Sequence, residues 1–553
     1  MSIRHEIAVL VDAAAKAAQA AGAIPSVVVE DPAVDRPARP EHGDYASSLP
    51  LKLARAARQS PMVLAETIAK HMPVHYAVGE VTTAPPGFVN IRLSDAWLAE
   101  QVNTVLKAGE AFGRSDVGKG QKVQIEFVSA NPTGPLHVGN GRWASIGDSL
   151  ARVLAAAGYS VEKEYLVNDA GTQSSVFGDT VFARYLQAFG RDVELPAGAY
   201  PGDYVREVAE QIKDEVGDRY VEEASTPEEL KWRAIDIMIA QIRDDLLAIG
   251  IDYDVWFSER TLYEGNNTYE VSMDLLRKQN AVVNKEGAVW FASASLGANK
   301  DNVLIRSDGR PTYFASDIAY HYDKFINRKF DEVIDIWGAD HQGHVSRVKT
   351  AVAALGVEED RLEIIIGQLV ALKRGGETVR FSKRAGEIIR LREVVDEVGA
   401  DACRYFFLQR SADSQMDFDL DLAKRQSSEN PVYYVQYAHA RSAGVLAQAK
   451  ERGLDYAQGD VALLTDPAEL TLIRKMLVLP ELVEAIAENH EPHHLPHYAL
   501  ELATAFHDFY EKCRVLDDAN PALSSARLRL VASAKQAVAS ALSLMGMSAP
   551  EKM

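Results

Sequence analysis

Apolar residues recur at helical spacing over residues 4–22, where Ile7, Leu10, Val11 and Ala14 share one face. Val27-Val28-Val29 is rich in the branched side chains that suit strands, and Phe88-Val89-Asn90-Ile91-Arg92-Leu93 alternates with period two, as a half-buried strand does. The polar, glycine-bearing stretch Arg114 to Gly120 then breaks the pattern, so residues 1–113 read as a small α+β domain. A different pattern starts at Lys122, with an apolar strand Val123 to Val128, a loop rich in Pro and Gly, and a helix predicted from about Gly141 to Ala157. Further strands are predicted at 160–167, at 332–337 and at 363–372, the last in two parts, 363–366 and 369–372.

A strand, a glycine-containing turn and a helix N-terminus in that order form the local layout of a nucleotide-binding sheet. Strands alternating with helices over residues 120–400 predict the α/β class, a Rossmann-like, doubly wound parallel sheet. Residues 176–250 are charged and helical with little strand signal, and read as a helical insertion. After about residue 400 the strand signal disappears. Residues 430–553 are almost wholly amphipathic helix with turns marked by Pro467, Pro480, Pro492 and Pro521, so 401–553 is expected to be a helical bundle.

Composition narrows the function classes. Hydrophobic residues at 47% and charged ones at 25% exclude collagen-like and wholly disordered chains, and 553 residues suffice for several domains. Cys403 and Cys513 have no second Cys or His at ligand spacing, so neither zinc nor a disulfide framework is expected, and a reducing cytoplasm fits. Glu6 and Asp12 interrupt any apolar leader and no 18-residue apolar run occurs, so the expectation is a cytoplasmic protein with no membrane partner. The net charge of −20 (59 minus 79) argues against a general coating protein for nucleic acid. It leaves open one defined RNA met by locally placed Lys and Arg.

Two segments carry the candidate chemistry. Asn131-Pro132-Thr133-Gly134-Pro135-Leu136-His137-Val138-Gly139-Asn140 lies between strand and helix, where His137 supplies a donor to a phosphate and Gly139 leaves room for a base against the backbone. The basic loop Val379-Arg380-Phe381-Ser382-Lys383-Arg384-Ala385-Gly386 follows a strand 246 positions later, and suits closure over a triphosphate and neutralisation of departing pyrophosphate. Each alone is also an ordinary loop. Together they are far more specific.

The pair resembles the signatures of class I aminoacyl-tRNA synthetases, H-I-G-H and K-M-S-K-S, standing here as H-V-G-N and R-F-S-K-R. Within that class the whole chain resembles the arginyl-tRNA synthetases, through Glu126 to His137, Asn168-Asp169-Ala170-Gly171, Asp401-Ala402-Cys403-Arg404-Tyr405, Tyr434 to Arg441, and Gly43-Asp44-Tyr45-Ala46. Asn140 departs from the signature's second histidine, so a neutral amide is expected to make its phosphate or ribose contact. Arg380 and Arg384 replace the first lysine and the final serine, while Lys383 survives.

The resemblance implies ATP-dependent activation of L-arginine and its transfer to tRNA(Arg), with magnesium accompanying ATP and no zinc. His137 and Lys383 are then catalytic, and ATP is met by His137, Gly139, Asn140, Gly338, Asp340, Ser382 and Lys383. An arginine side chain needs carboxylates for its planar fork. Tyr313 and Asp317 stand at i and i+4 and share a face if helical, a ring beside a carboxylate. The resemblance assigns Asn131, Tyr313 and Asp317 to arginine, with Glu126 and Asp340 as neighbours. The loop Gly338 to His344 holds His341 and His344 as well, but their spacing does not make a metal site.

Tyr434, Tyr437 and Arg441 fall at i, i+3 and i+7 on one helix, two aromatics and a cation that suit stacking with unpaired bases. By spacing alone, packing of both tyrosines in the bundle core is the slightly favoured reading; the resemblance assigns the three to the anticodon. The N-terminal unit resembles a domain that touches the tRNA elsewhere, and a monomer is expected. Two other classes remain at this point: a nucleotidyltransferase on the same fold, for which the C-terminal bundle has no use, and an inactive RNA-binding relative, which His137, Gly139 and Lys383 speak against.

Overall fold

The computed structural model describes residues 2–265, 267–296, 301–379 and 389–553. The first helix, Ile3–Ala20, buries Ile7, Val11, Ala14 and Ala18, the 3.6-residue stripe expected of it. It packs beside a four-stranded antiparallel sheet ordered Val34–Asp35, Tyr45–Ser47, Phe88–Leu93, Val78–Ala84. The expected strand at Val27-Val28-Val29 is not formed. That run is extended coil with Val28 exposed, and the Val27 carbonyl accepts from the Gln19 side chain at 2.8 Å instead of from a neighbouring strand. Branched side chains favour a strand only where a partner edge is at hand.

The central sheet has five parallel strands in the order Leu362–Gly367, Glu332–Gly338, Lys122–Phe127, Ser160–Val167, Val255–Ser258. The chain leaves the middle strand in opposite directions, which opens a crevice at the carboxyl ends between Lys122–Phe127 and Glu332–Gly338, the place where ligands bind in such sheets. Two differences from expectation stand out. Val255–Ser258 is an unforeseen fifth strand, four residues long and half-buried throughout. The second half of the 363–372 segment leaves the main sheet: Val370–Arg374 pairs instead with Met416–Asp419, a strand in a region expected to have none, and with Glu377–Thr378.

The helix after the first central strand runs Val138–Ala156, starting three residues earlier than expected. The inserted helices Thr172–Ala188, Tyr204–Val216 and Glu228–Ala248 enclose a core of their own around Phe177, Tyr185, Ile212 and Met238. A small antiparallel sheet over residues 282–305 was not foreseen. Helices Pro431–Glu451, Pro467–Met476, Val478–Asn489, His494–Lys512 and Pro521–Leu544 make the C-terminal bundle. Pro467 and Pro521 open helices behind the caps Asp466 and Asn520, whereas Pro480 sits in the first turn of a helix and marks no turn. Among the described residues no helix is long and apolar enough to cross a membrane.

The bundle is sewn to the sheet by buried polar groups. Arg404, wholly buried, donates to Met545 O at 2.6 Å, to Ile249 O at 3.1 Å and to Asp148 on the helix Val138–Ala156. Asp401 accepts from Ser548 N at 3.0 Å and from Gln436 Nε2 at 2.7 Å.

Candidate active site

The strand Lys122–Phe127 ends in a strained turn, with Val128 at φ 71° and Ser129 at φ 38°. A branched residue in the left-handed region is costly and persists only where neighbours enforce it. Here Ser129 Oγ donates to Glu126 Oε1 at 2.9 Å and accepts from Leu166 N at 3.1 Å, while Asn168 Nδ2 donates to Ser129 O at 3.2 Å. The turn carries the chain across the strand ends to His137, which caps the next helix. Its Nδ1 accepts from Gly139 N at 3.1 Å. That bond leaves Nε2 as the protonated nitrogen, and burial holds the imidazole below its ordinary pKa, with Asp340 acting in the opposite direction. His137 is thus a neutral donor at the positive end of a helix, suited to a phosphate oxygen.

Gly139 has a local reason as well. A β-carbon there would lie 2.9 Å from His137 Cε1, so the imidazole itself requires the glycine. Asn140, expected to reach ATP, closes the cap instead: its Oδ1 accepts from His137 N at 2.9 Å and its side chain is buried. Arg390 forms an antiparallel bridge with His137, and Leu391 N donates to Leu136 O at 2.8 Å. Ser382 and Lys383, with Arg380 and Arg384, lie outside the described residues.

On the other side of the crevice, Tyr313 and Asp317 do share a face of the helix Tyr313–Tyr322. Tyr313 is exposed, and a β-carbon on Gly171 would stand 3.6 Å from its hydroxyl. Asn131, on the same rim, donates from Nδ2 to Gln173 Oε1 at 2.6 Å. Asp317 is joined by a carboxylate that sequence reasoning missed. Glu259 follows directly on the strand Val255–Ser258, and its Oε2 is buried with no hydrogen-bond partner among the described residues. Burial pushes Glu259 up to about 7, with Ser316 opposing and Asp317 and Asp169 adding to the rise. Burial likewise raises Asp317 to about 7, offset by His321 and reinforced by Glu126 and Asp335. Two carboxyl groups both held above the usual carboxylate range, one of them raised in part by the other, suit a cation. The strand that would have pointed to Glu259 was too short to read.

Glu126, also expected near arginine, has an internal partner. It is buried, and its Oε2 accepts from the wholly buried Lys324 at 2.6 Å, while Lys324 also donates to Asp335 at 2.9 Å. Glu126 and Asp335 share that one ammonium, so the Glu126 carboxylate is committed to an internal ion pair. Lys324 sits in a π-turn, Asp323–Asn327, that continues the Asp317 helix, and His321 bridges the two: its Nδ1 lies 2.7 Å from Asp317 O and its Nε2 3.0 Å from Asp335 Oδ2. Asp340 is exposed on the turn Ala339–His344, close enough to His137 to favour its protonated form. Gly338 leaves room for it, since a β-carbon would fall 2.6 Å from Asp340 Oδ1. Among the described residues, the His and acid side chains with converging ligand atoms are Glu491, His493 and His494, on the bundle.

On the helix Pro431–Glu451, Tyr437 and Arg441 stay together: Arg441 Nη2 donates to the Tyr437 hydroxyl at 2.9 Å and the guanidinium lies 4.5 Å above its ring. Two rings stack on Tyr437: Tyr433, missed in the sequence, at 5.9 Å and 13°, and His507 at 5.8 Å and 26°. Tyr434 turns inward against the core and His507.

A parallel sheet whose first strand leads to a histidine-capped helix is the catalytic fold of class I aminoacyl-tRNA synthetases, and residues 101–417 match the family described as "tRNA synthetases class I (R), catalytic domain". Residues 5–93 match "Arginyl tRNA synthetase N terminal domain" and residues 435–553 "DALR anticodon binding domain". The arginine–tRNA ligase of Dehalococcoides mccartyi is 51% identical over 555 residues, covering 100% of this chain and 99% of that one; that of Heliobacterium modesticaldum is 46% identical over 561, with the same coverage. The Thermus thermophilus arginyl-tRNA synthetase structure shares the fold, with TM-score 0.77 at 23% identity over 99% of each chain. The chain belongs to the arginyl-tRNA synthetase family. It is an enzyme whose activity is arginine–tRNA ligation.

Proposed function

We propose that Glu259 and Asp317 receive the guanidinium of L-arginine, with Tyr313 against its plane and Asn131 on the rim, while His137 holds the α-phosphate of ATP. The unpartnered, buried Oε2 of Glu259 beside Asp317 is the observation that carries the reading. The arginine carboxylate attacks the α-phosphorus and pyrophosphate leaves, with the Nε2 proton of His137 and the ammonium of Lys383 taking up the charge. The terminal ribose hydroxyl of tRNA(Arg) then attacks the arginyl adenylate carbonyl and AMP departs. Positioning and electrostatics carry both steps, so no side-chain nucleophile is assigned.

Asp340, an exposed oxygen donor on the His137 edge, is the residue type that a magnesium ion carried by ATP takes, and that ion supplies further charge neutralisation. Arg390 beside His137 returns the chain to the site within seven positions of Lys383, which supports the loop's assignment to ATP together with Ser382. Tyr433, Tyr437 and Arg441 are assigned to the anticodon bases. Domains over 1–113, 120–400 and 401–553, a monomer, and a cytoplasmic setting complete the reading, the last supported by two buried unpaired cysteines. The test is aminoacylation of total tRNA with each of twenty amino acids: ATP-dependent charging with arginine alone is expected, and charging with another amino acid instead overturns the assignment of the two carboxylates.

A further inference from the structure

The indole of Trp143 occupies space that two side chains would need at the ends of neighbouring strands. Gly338 and Gly367 close the strands Glu332–Gly338 and Leu362–Gly367 and are paired in register. A β-carbon at Gly367 would fall 2.2 Å from the indole Nε1, and one at Gly338 would fall 3.0 Å from Cη2. Both distances are well inside van der Waals contact, so the ring lying across these positions accounts for the absence of side chains there. The imidazole of His137 meets the same ring, centroids 6.0 Å apart and planes at 77°.

The surroundings hold the indole in place. Arg142, the preceding residue, is wholly buried and donates to Gln368 O at 3.0 Å, Ser414 O at 2.8 Å and Ser411 O at 2.7 Å. The segment that follows Gly367 is thereby tied to the helix that carries Trp143. Trp143 also stands four positions after Gly139, on the same helix face. Its Nε1 is buried without an acceptor among the described residues.

We propose that Trp143 is a wall of the nucleotide site, the surface against which the purine of ATP packs, and that it sets affinity for ATP without entering arginine selection or the chemical step. The proposal rests on the reading of the His137 edge as the ATP site. Two observations point the same way: the ring lies at the carboxyl ends of parallel strands, and it adjoins the histidine assigned to phosphate. A flat aromatic wall at that edge suits a flat base.

Steady-state kinetics with ATP varied at saturating arginine and tRNA test it in Trp143→Ala and Trp143→Phe, each with a thermal melt. Trp143→Ala is expected to raise the KM for ATP by about 10-fold or more, within the range of base–aromatic stacking, with kcat and the KM for arginine within about twofold. Trp143→Phe keeps most of the flat face and is expected within about threefold. A folded Trp143→Ala with unchanged KM for ATP overturns the proposal. Where that variant does not fold, ATP titration of intrinsic fluorescence decides: quenching in the wild type that is lost in Trp143→Phe supports the wall, and equal quenching in both overturns it. Absence of arginylation by the wild type in the same assay would instead count against the arginine reading, and the fluorescence titration would still judge Trp143.

Discussion

Arg474 donates from Nε to Oδ1 of Asp44 at 2.8 Å and so ties the N-terminal sheet to the second helix of the C-terminal bundle. The other oxygen of Asp44 accepts from Leu93 N at 2.7 Å. Beside it, Arg36 Nε donates to Glu481 Oε2 at 2.8 Å and the Tyr45 hydroxyl donates to the same carboxylate. The motif Gly43-Asp44-Tyr45-Ala46, which contributed to the family resemblance, is therefore a joint between domains. Arg474→Ala is expected to cost about 1–3 kcal/mol, the range for a hydrogen bond between charged groups with Asp44 left mostly buried. Faster limited proteolysis in the 114–120 segment should accompany the lower stability; unchanged cleavage and an unchanged urea midpoint would show that the joint is redundant.

On the proposed reading, substrate choice rests on the two carboxyl groups. Asp317→Asn and Glu259→Gln each keep size and remove a charge, so each separates recognition of a cation from packing. Leaving a guanidinium with one of its two partners should cost about 3–5 kcal/mol in kcat/KM for arginine, with the KM for ATP hardly changed. Glu126→Gln is the contrast: it strands Lys324, and its effect should appear in the thermal melt before it appears in arginine use. Wild-type arginine kinetics in both Asp317→Asn and Glu259→Gln would remove them from the pocket.

Their ionisation predicts the pH profile. With Glu259 and Asp317 both raised to about 7, each holds a proton in the free enzyme at mildly acidic pH, and arginine pairs with the ionised form. The value of kcat/KM for arginine should rise as pH passes upward through about 7 and level off above it, more steeply than for one group. The stability effect has the opposite direction. Protons bound in the native state but released in the unfolded one stabilise the free protein below about pH 4, and that contribution is lost as pH rises through about 7. Thermal melts of the free enzyme and of the arginine complex across pH 5 to 8.5 should diverge, with the stabilisation by arginine growing over that span.

The parts of this site that the sequence made legible are those encoded in long or periodic signals. The apolar strand before His137 and the i, i+4 pair Tyr313 and Asp317 are of that kind. Glu259 was not visible because Val255–Ser258 has four residues of uniform burial and so no alternation to mark it. The internal partners of Asn140 and Glu126 were hidden for another reason: a cap bond to His137 N and an ammonium arriving from residue 324 are contacts that residue type alone does not reveal. Tyr433 and Tyr434 lie four and three positions before Tyr437, and both spacings put a residue on its face. Only the packing of the bundle core, which takes up Tyr434 and not Tyr433, decides which one turns inward.

Lys383 is expected to act late in the first step. If it neutralises the departing pyrophosphate, Lys383→Ala should lower kcat by about 10²–10³ with a smaller change in the KM for arginine. The variant should melt at the wild-type temperature. An unchanged kcat would take Lys383 out of the mechanism and leave His137 as the assigned side-chain donor.

The aromatic face of the bundle yields the last prediction, because three neighbouring tyrosines are expected to behave in two different ways. Tyr433 and Tyr437 stack on each other, and Arg441 covers the far side of the pair, so an unpaired base has a flat, cationic platform to extend. Tyr433→Ala and Tyr437→Ala should each weaken tRNA(Arg) by roughly 1–3 kcal/mol while the melt stays near that of the wild type. Arg441→Ala should reduce the dependence of affinity on salt by about one counterion if it meets a phosphate, and should lower affinity at all salt concentrations alike if it stacks. Tyr434 packs half-buried on His507 and the core, so Tyr434→Ala removes aromatic packing and should cost about 1–3 kcal/mol of stability. Filter binding at several salt concentrations, set beside thermal melts of the four variants, distinguishes platform from core. Loss of stability in Tyr433→Ala or Tyr437→Ala with unchanged tRNA affinity would return those rings to packing and move the RNA face elsewhere on the bundle.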